Sequence, residues 1–378
     1  MKFLLMPDSF KGTLSAEQVC NVMEQEILGE FDDAKIIKVP VADGGEGVVD
    51  AFLSAIGGEK VFTPIKGPFF EDISGFFGLA EGGDVAVVEM AAAAGLPLVE
   101  GKKNPLKTTT YGVGQVILQA LGRGAKRLIL GLGGSATNDG GCGMAAALGV
   151  RFFDEAGMPF IPVGGTLHKI AKIDASHLAQ GVREAEITVM CDIKNPLFGQ
   201  NGAAYVFAPQ KGADSQAVEL LDKGLRHLSE VISRDLGIDV AQMEGAGAAG
   251  GMGAGAVAFL GAVLRPGIEA VLEAVHFDEI VQGTDYIFTG EGCLDGQSLG
   301  GKVADGVARR GKALGIPVIA IVGGVKDGEI GEIYERGVSS VFPISRLPID
   351  FSISRYQSED NLRFTVRNVV KFIKETRK

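Results

Sequence analysis

The sequence predicts an α/β protein built on parallel sheets. Short, continuously apolar runs recur along the chain, as expected of strands buried on both faces. Between them lie segments with apolar residues at helical spacing. Four of the passages from run to helix go through glycine-rich turns that carry hydroxyl, amide or acidic side chains: Pro7-Asp8-Ser9-Phe10-Lys11-Gly12-Thr13, Ala42-Asp43-Gly44-Gly45-Glu46-Gly47, Gly131-Leu132-Gly133-Gly134-Ser135-Ala136-Thr137-Asn138-Asp139-Gly140-Gly141 and Thr289-Gly290-Glu291-Gly292. Helix N-termini offer free N–H groups and partial positive charge, and glycine allows close backbone approach. The set therefore points to a nucleotide or a phosphorylated metabolite.

The first run, residues 3–6, has one basic residue before it and ends at Pro7-Asp8, so it reads as a first strand and not as a secretory leader. Next, Leu14 to Met23 has helical apolar spacing, with Ser15 and Gln18 placed as a capping box. Further strand-length runs follow at 36–41, 85–90, 128–132, 187–190, 286–288, 318–322 and 341–344. Helical patterns recur at 217–236 and 363–374. The hydroxyls of Thr108-Thr109-Thr110 open another helix, one of them as its cap. The glycine-dense stretch from Gly245 to Ala256 precedes a helix expected to run to Leu264. It reads either as a nest of N–H groups around an anion or as a small-residue helix packed closely on a neighbour.

The first two strands and the last three share the short rhythm of a doubly wound sheet. The stretch between them has longer connections, at 64–83 and 154–184. The expectation is a discontinuous outer domain, 1–57 and 279–378, with a second α/β domain, 58–278, inserted. Tandem domains are the alternative, and no internal repeat is present.

Composition narrows the function. Glycine accounts for 56 of 378 residues, about twice the usual share, but without the period of a fibrous protein. A net charge of −11 argues against nucleic acid and anionic membranes as partners. An anionic substrate then needs local cations or Mg²⁺. The four cysteines and four histidines are scattered, so neither a disulfide framework nor a zinc site is expected. No apolar stretch reaches the length of a membrane span, and the expected location is the cytoplasm.

Residues 127–136 match G-x-G-x-x-A after a strand, and Asp154-Glu155 follows about twenty residues on, as in dinucleotide-binding folds. That supplies a rival reading, an NAD(P)-dependent oxidoreductase. Two features weigh against it. Ser135, Thr137, Asn138 and Asp139 crowd the helix start, and no His–Asp pair offers itself for hydride transfer. Walker A and protein-kinase signatures are absent. Carboxylates just past strand ends are Asp8, Asp43, Asp192, Glu291 and Asp295, where open α/β sheets bind ligands; each can equally be a turn or helix cap. Lys11, Lys211 and Lys302 sit at loop–helix junctions, where a solvated surface charge is the plainer reading. Asn195-Pro196 is a turn former.

Taken together, these motifs resemble the bacterial glycerate kinase family over nearly the whole chain. The stretches that carry the likeness are Pro7-Asp8-Ser9-Phe10-Lys11-Gly12, Ala42-Asp43-Gly44-Gly45-Glu46-Gly47, Glu89-Met90-Ala91, Gly133 to Gly141, Cys191-Asp192, Asn195-Pro196-Leu197, Pro209-Gln210-Lys211-Gly212, and Thr289-Gly290-Glu291-Gly292 with Asp295 and Gln297-Ser298. The resemblance implies ATP-dependent phosphorylation of D-glycerate, on the 2-hydroxyl or alternatively the 3-hydroxyl. It also implies one flavodoxin-like domain, an inserted domain and an active site in the cleft between them. On this sequence, Gly133, Gly134, Ser135, Thr137 and Asn138 are expected to hold ATP phosphates, Asp8 to orient the attacking hydroxyl, and Lys11 to neutralise transferring charge. Asp192 or Asp43 is expected to hold Mg²⁺. Ser9, Asp43, Gly44, Lys211, Glu291 and Asp295 are the expected glycerate contacts, with the Gly250-Gly251 backbone an alternative to Lys211 for its carboxylate. A non-catalytic nucleotide-binding regulator is the third reading, and homo-oligomers are compatible with all three.

Overall fold

The computed structural model describes residues 1–41, 47–295, 302–326, 330–347 and 349–377. In chain order the strands are β1 (Lys2–Pro7), β2 (Lys35–Lys38), β3 (Glu59–Lys66), β4 (Asp72–Ala80), β5 (Val85–Glu89), β6 (Arg127–Gly131) and β7 (Arg151–Phe153). They continue as β8 (Pro159–Phe160), β9 (Lys172–Asp174), β10 (Glu186–Met190), β11 (Val263–Arg265), β12 (Tyr286–Gly290), β13 (Val318–Val322) and β14 (Val338–Pro343). Every predicted strand run is a strand. The chain divides into two compact units, one made of Met1–Asp43, Ser54–Ile56 and Pro266–Lys378, the other of Gly44–Leu53 and Gly57–Arg265.

The first unit is a five-stranded parallel sheet in the order β14-β13-β12-β1-β2. Counted within the unit, this is the flavodoxin-like order 2-1-3-4-5. β1 is buried on both faces, because Phe3, Leu4, Leu5 and Met6 are all fully enclosed. On one face Phe3 and Leu5 pack with Val19, Met23 and Ile27 of the helix Ala16–Glu30 and with Val366, Val369 and Ile373 of the helix Ser358–Thr376. Ser15 and Gln18 form the predicted capping box, Gln18 N–H donating to Ser15 Oγ and Ser15 N–H to Gln18 Oε1. The two helices are also joined electrostatically. Glu26 accepts from Arg367 and Arg363, at 2.7 and 3.0 Å, and these bonds hold its carboxyl below the ordinary range. The helix Val303–Ala313 packs on β12 and β13 through Val303, Ala304, Val307 and Ala308.

The second unit centres on a six-stranded mixed sheet, β11-β10-β6-β5-β4-β3, in which the first four strands are parallel. The long connections left unassigned by the sequence contain antiparallel additions. β3 and β4 form a hairpin at the sheet edge, and β8-β7-β9 form a small separate sheet. Pro64 lies in β3, an edge strand, where its missing N–H is tolerated. The helix expected to reach Leu264 spans Ala248–Leu260 instead. Gly261 ends it in the left-handed conformation, which frees Val263–Arg265 to pair with β10. No helix among the described residues is long and apolar enough to cross a membrane.

Candidate active site

In the second unit the carboxyl ends of four parallel strands lie in one row, with Glu89, Gly131, Met190 and Arg265 in mutual register. The turn after β6 and Asp192 after β10 therefore emerge on the same sheet edge, where open α/β folds bind ligands. Glu89 is buried and accepts the N–H of Val49 at 3.3 Å, in the first turn of the helix Val48–Ile56. Burial pushes its carboxyl up, opposed by the Gly47 and Val49 amides.

The turn from Gly131 to Gly141 is fastened on several sides. Its backbone bridges the 94–96 segment through Ala136 N–H to Ala94 O and Leu96 N–H to Gly134 O, both 2.8 Å. Thr108 Oγ1 donates to Ala136 O at 2.9 Å. Asp139 is fully buried and accepts from Thr110 N–H at 2.8 Å, Thr110 Oγ1 at 2.9 Å, and the Gly141 and Gly143 N–H groups at 3.2 Å. Desolvation pushes the Asp139 carboxyl up, and these four donors oppose it.

Asp139 thus fills the N-terminus of the short helix Cys142–Ala147 with the protein's own carboxylate. The anion-binding role that the sequence suggests for this helix start is met internally. What remains toward solvent is Gly134, with Gly133 half-buried beside it, since Ser135, Thr137 and Asn138 are buried. Among the described residues, Thr137 Oγ1 and both polar atoms of the Asn138 side chain are enclosed without a hydrogen-bond partner. Such atoms are costly to bury unpaired.

Lys211 belongs to the same cluster. It ends the 3₁₀ turn Pro209–Lys211 and is only 1 % exposed. Its Nζ donates to Ser135 Oγ and to Thr137 O, each at 2.7 Å. Burial pulls its pKa down to about 7, with Asp139 acting in the opposite sense. Asp192 is exposed just beyond β10.

The glycine-dense stretch resolves in favour of close packing. A Cβ on Gly250 would lie 2.1 Å from Thr137 O, and Gly250 O accepts the Gly140 N–H at 3.1 Å. Thr110, at the N-cap position of the helix Tyr111–Gly122, gives its hydroxyl to Asp139 and accepts the Met144 N–H, so it serves the neighbouring turn and not its own helix.

The first unit carries its own group at the point where its strand order reverses, between β1 and β12. Pro7 and Gly290 are register partners, and Asp8 N–H donates to Gly290 O at 2.8 Å. This brings the Asp8-Ser9-Phe10-Lys11 turn beside the Glu291-Gly292 turn. Gly292 lies so close that an added Cβ would sit 3.1 Å from Lys11 N. Asp8 Oδ1 accepts the Ser9 N–H, Lys11 is exposed, and Glu291 is buried. Asp295 lies within 3.4 Å of Lys326 Nζ and 4.0 Å of Lys302 Nζ. Asp43 and Gly44, and the Gln297-Ser298 pair, lie outside the described residues.

Sequence reasoning did not mark Asp139, Thr110 or Glu89 as site residues. Asp139 had a signal, an acid within the glycine turn, but its partner Thr110 is 29 residues away. The dinucleotide alternative loses its acidic partner. Asp154 ends β7 in the small antiparallel sheet and turns the hairpin by accepting the Ala156 and Met158 N–H groups.

Comparisons with known proteins agree with the family resemblance. The model of the glycerate kinase family matches residues 3–374. A protein named glycerate kinase from Bacillus cereus is 44 % identical over 370 residues, covering 98 % of this chain and 97 % of that protein. One named glycerate 2-kinase from Escherichia coli K12 is 45 % identical over 345 residues, covering 91 % of this chain and 90 % of that protein. A crystal structure of a protein from Salmonella typhimurium LT2 superposes with a TM-score of 0.89 at 41 % identity, covering 100 % of this chain and 99 % of that one. The chain belongs to the glycerate kinase family.

Proposed function

We propose that the chain transfers the γ-phosphoryl group of ATP to the 2-hydroxyl of D-glycerate, giving 2-phospho-D-glycerate and ADP, as a cytoplasmic step of organic-acid catabolism. The observation that carries this reading is the family match over residues 3–374. The 45 % identity to a protein named for the 2-position favours O2 over O3.

Phosphoryl transfer needs little covalent help from the protein and depends on positioning and charge stabilisation. In this reading the backbone of half-buried Gly133 and exposed Gly134, with Ser135, Thr137 and Asn138 behind it, receives the ATP phosphates. Asp8 orients the attacking hydroxyl, and Lys11 offsets charge on the group in transfer. Ser9, Glu291 and Asp295, with Asp43 and Gly44, hold glycerate.

Asp192 and Asp43 are the carboxylates suited to Mg²⁺. Among the described residues, no three His, Cys, Asp or Glu side chains converge as a metal cage. Mg²⁺ is usually held by one or two carboxylates together with phosphate oxygens and water. When bound, it neutralises charge on the phosphates.

The test is ADP release by the purified chain with ATP and Mg²⁺, in the presence and absence of D-glycerate. ADP that appears only with D-glycerate supports the reading. Equal rates in both samples would reduce it to an ATPase, and no release in either would remove it.

A further inference from the structure

The family resemblance makes Lys211 a substrate contact, but its surroundings point elsewhere. We propose that Lys211 is a positioning residue, which holds the glycine turn after β6 from beneath through Ser135 and the Thr137 carbonyl and does not touch substrate. The inference rests on the kinase reading above and assigns a role within that site.

Three observations carry it. The side chain is enclosed, with 1 % of its surface exposed, so its amine cannot meet a ligand without leaving its present contacts. Its Nζ has two partners at 2.7 Å, Ser135 Oγ and Thr137 O, and both act as acceptors. Two acceptors match the two hydrogens of a neutral lysine as well as the three of an ammonium, so the contact survives loss of the charge. That matters because burial pulls the amine down to about 7.

The backbone around Lys211 is fixed too. Gly212 takes φ 95°, and a Cβ there would lie 2.8 Å from Lys103 O, so the 3₁₀ turn is seated against the 103 segment. Two residues beyond Thr137, Asp139 is tied to Thr110, Gly141 and Gly143. Lys211 and Asp139 thus hold the two ends of the stretch Ser135 to Asp139 from its buried side. Half-buried Gly133 and exposed Gly134 directly precede Ser135, at the end that Lys211 holds. A site that stabilises charge by fixed backbone groups loses rate when those groups shift.

The test is a double-mutant cycle on the full chain with Lys211→Met, Ser135→Ala and the pair, read as kcat and as KM for each substrate. A positioning role predicts that Lys211→Met lowers kcat/KM for ATP by roughly 10²-fold. It leaves KM for D-glycerate within about twofold, and the double variant is no worse than Lys211→Met alone. Lys211→Gln, which keeps two N–H donors without the charge, should recover part of the loss. A glycerate KM raised about tenfold or more, or effects of the two substitutions that multiply, would overturn the proposal in favour of a substrate contact.

Amide exchange of the peptide 131–141 in the substrate-free protein reads the strut without catalysis. Lys211→Met, or Lys211→Gln should the Met variant not fold, is expected to speed exchange there by about tenfold relative to the rest of the unit. Unchanged exchange would sink the proposal whatever the kinetics. A wild-type chain without D-glycerate-dependent turnover but with faster exchange in the variant would remove the kinase reading alone.

Discussion

Lys211 and Asp139 show how the meaning of a charged side chain depends on where its partners come from. Both sit in segments that read as anion-binding turns, yet each has its polar atoms consumed by the protein. Lys211 also carries a testable linkage. Below about pH 7 it is protonated in both the folded and unfolded chains, and its burial costs stability in full. Between about 7 and the ordinary lysine value of 10.5 the folded chain has released the proton that the unfolded chain keeps, so this contribution rises with pH. Urea unfolding at pH 7 and 9.5 should therefore shift the difference between wild type and Lys211→Met toward the wild type by on the order of 2–3 kcal/mol. A difference that stays constant would mean that the amine titrates near its ordinary value. Asp192 tests the chemistry separately. Because it is exposed beyond a strand end, Asp192→Asn should leave the melting temperature unchanged while lowering kcat by roughly 10²-fold or more. Near-normal turnover would remove it as the Mg²⁺ carboxylate.

The elements themselves respond to glycine in two distinguishable ways. Gly250 and Gly261 have nearly the same φ, 70° and 67°, and lie near opposite ends of the helix Ala248–Leu260. A Cβ on Gly250 would meet Thr137 O at 2.1 Å, whereas Gly261 faces open space. Gly261→Ala should cost about 1 kcal/mol, the backbone preference alone. Gly250→Ala should cost several kcal/mol, because backbone must move, and it should also reduce activity by displacing the turn after β6. Equal costs in urea melts would show that the two segments do not pack as described. The glycine density of this stretch was visible in the sequence, but the choice between an anion nest and close packing was not. That choice depends on Gly140 and Thr137, more than a hundred residues earlier. The continuous strands and the Ser15–Gln18 box were legible because their signals are local. The β3–β4 hairpin was not, because an exposed Phe62 and a buried Thr63 break the apolar alternation of β3, and the β7–β8–β9 strands are too short to show a period.

At the scale of the molecule, the turns after β1 and β12 in the first unit and after β6 in the second contain glycine, and they hold most of the residues proposed for the site. In the first unit the proposed Asp8 and Glu291 turns lie where the strand order reverses, and in the second the turn after β6 and Asp192 lie at one edge of the sheet. Strand order and register could not be read from single runs, because they rest on pairings such as Phe3 of β1 with Tyr286 of β12, far apart in the chain. The motifs picked out these turns as candidates, while the internal use of Asp139 required the fold.

The most direct test of the account is phosphorus NMR of the purified chain with ATP, Mg²⁺ and D-glycerate, beside a sample without glycerate. A new 2-phosphoglycerate signal with matching ADP, only in the complete mixture, is the predicted result. A 3-phosphoglycerate signal would contradict the assigned position of transfer, and unchanged ATP in both samples would contradict the proposed function itself.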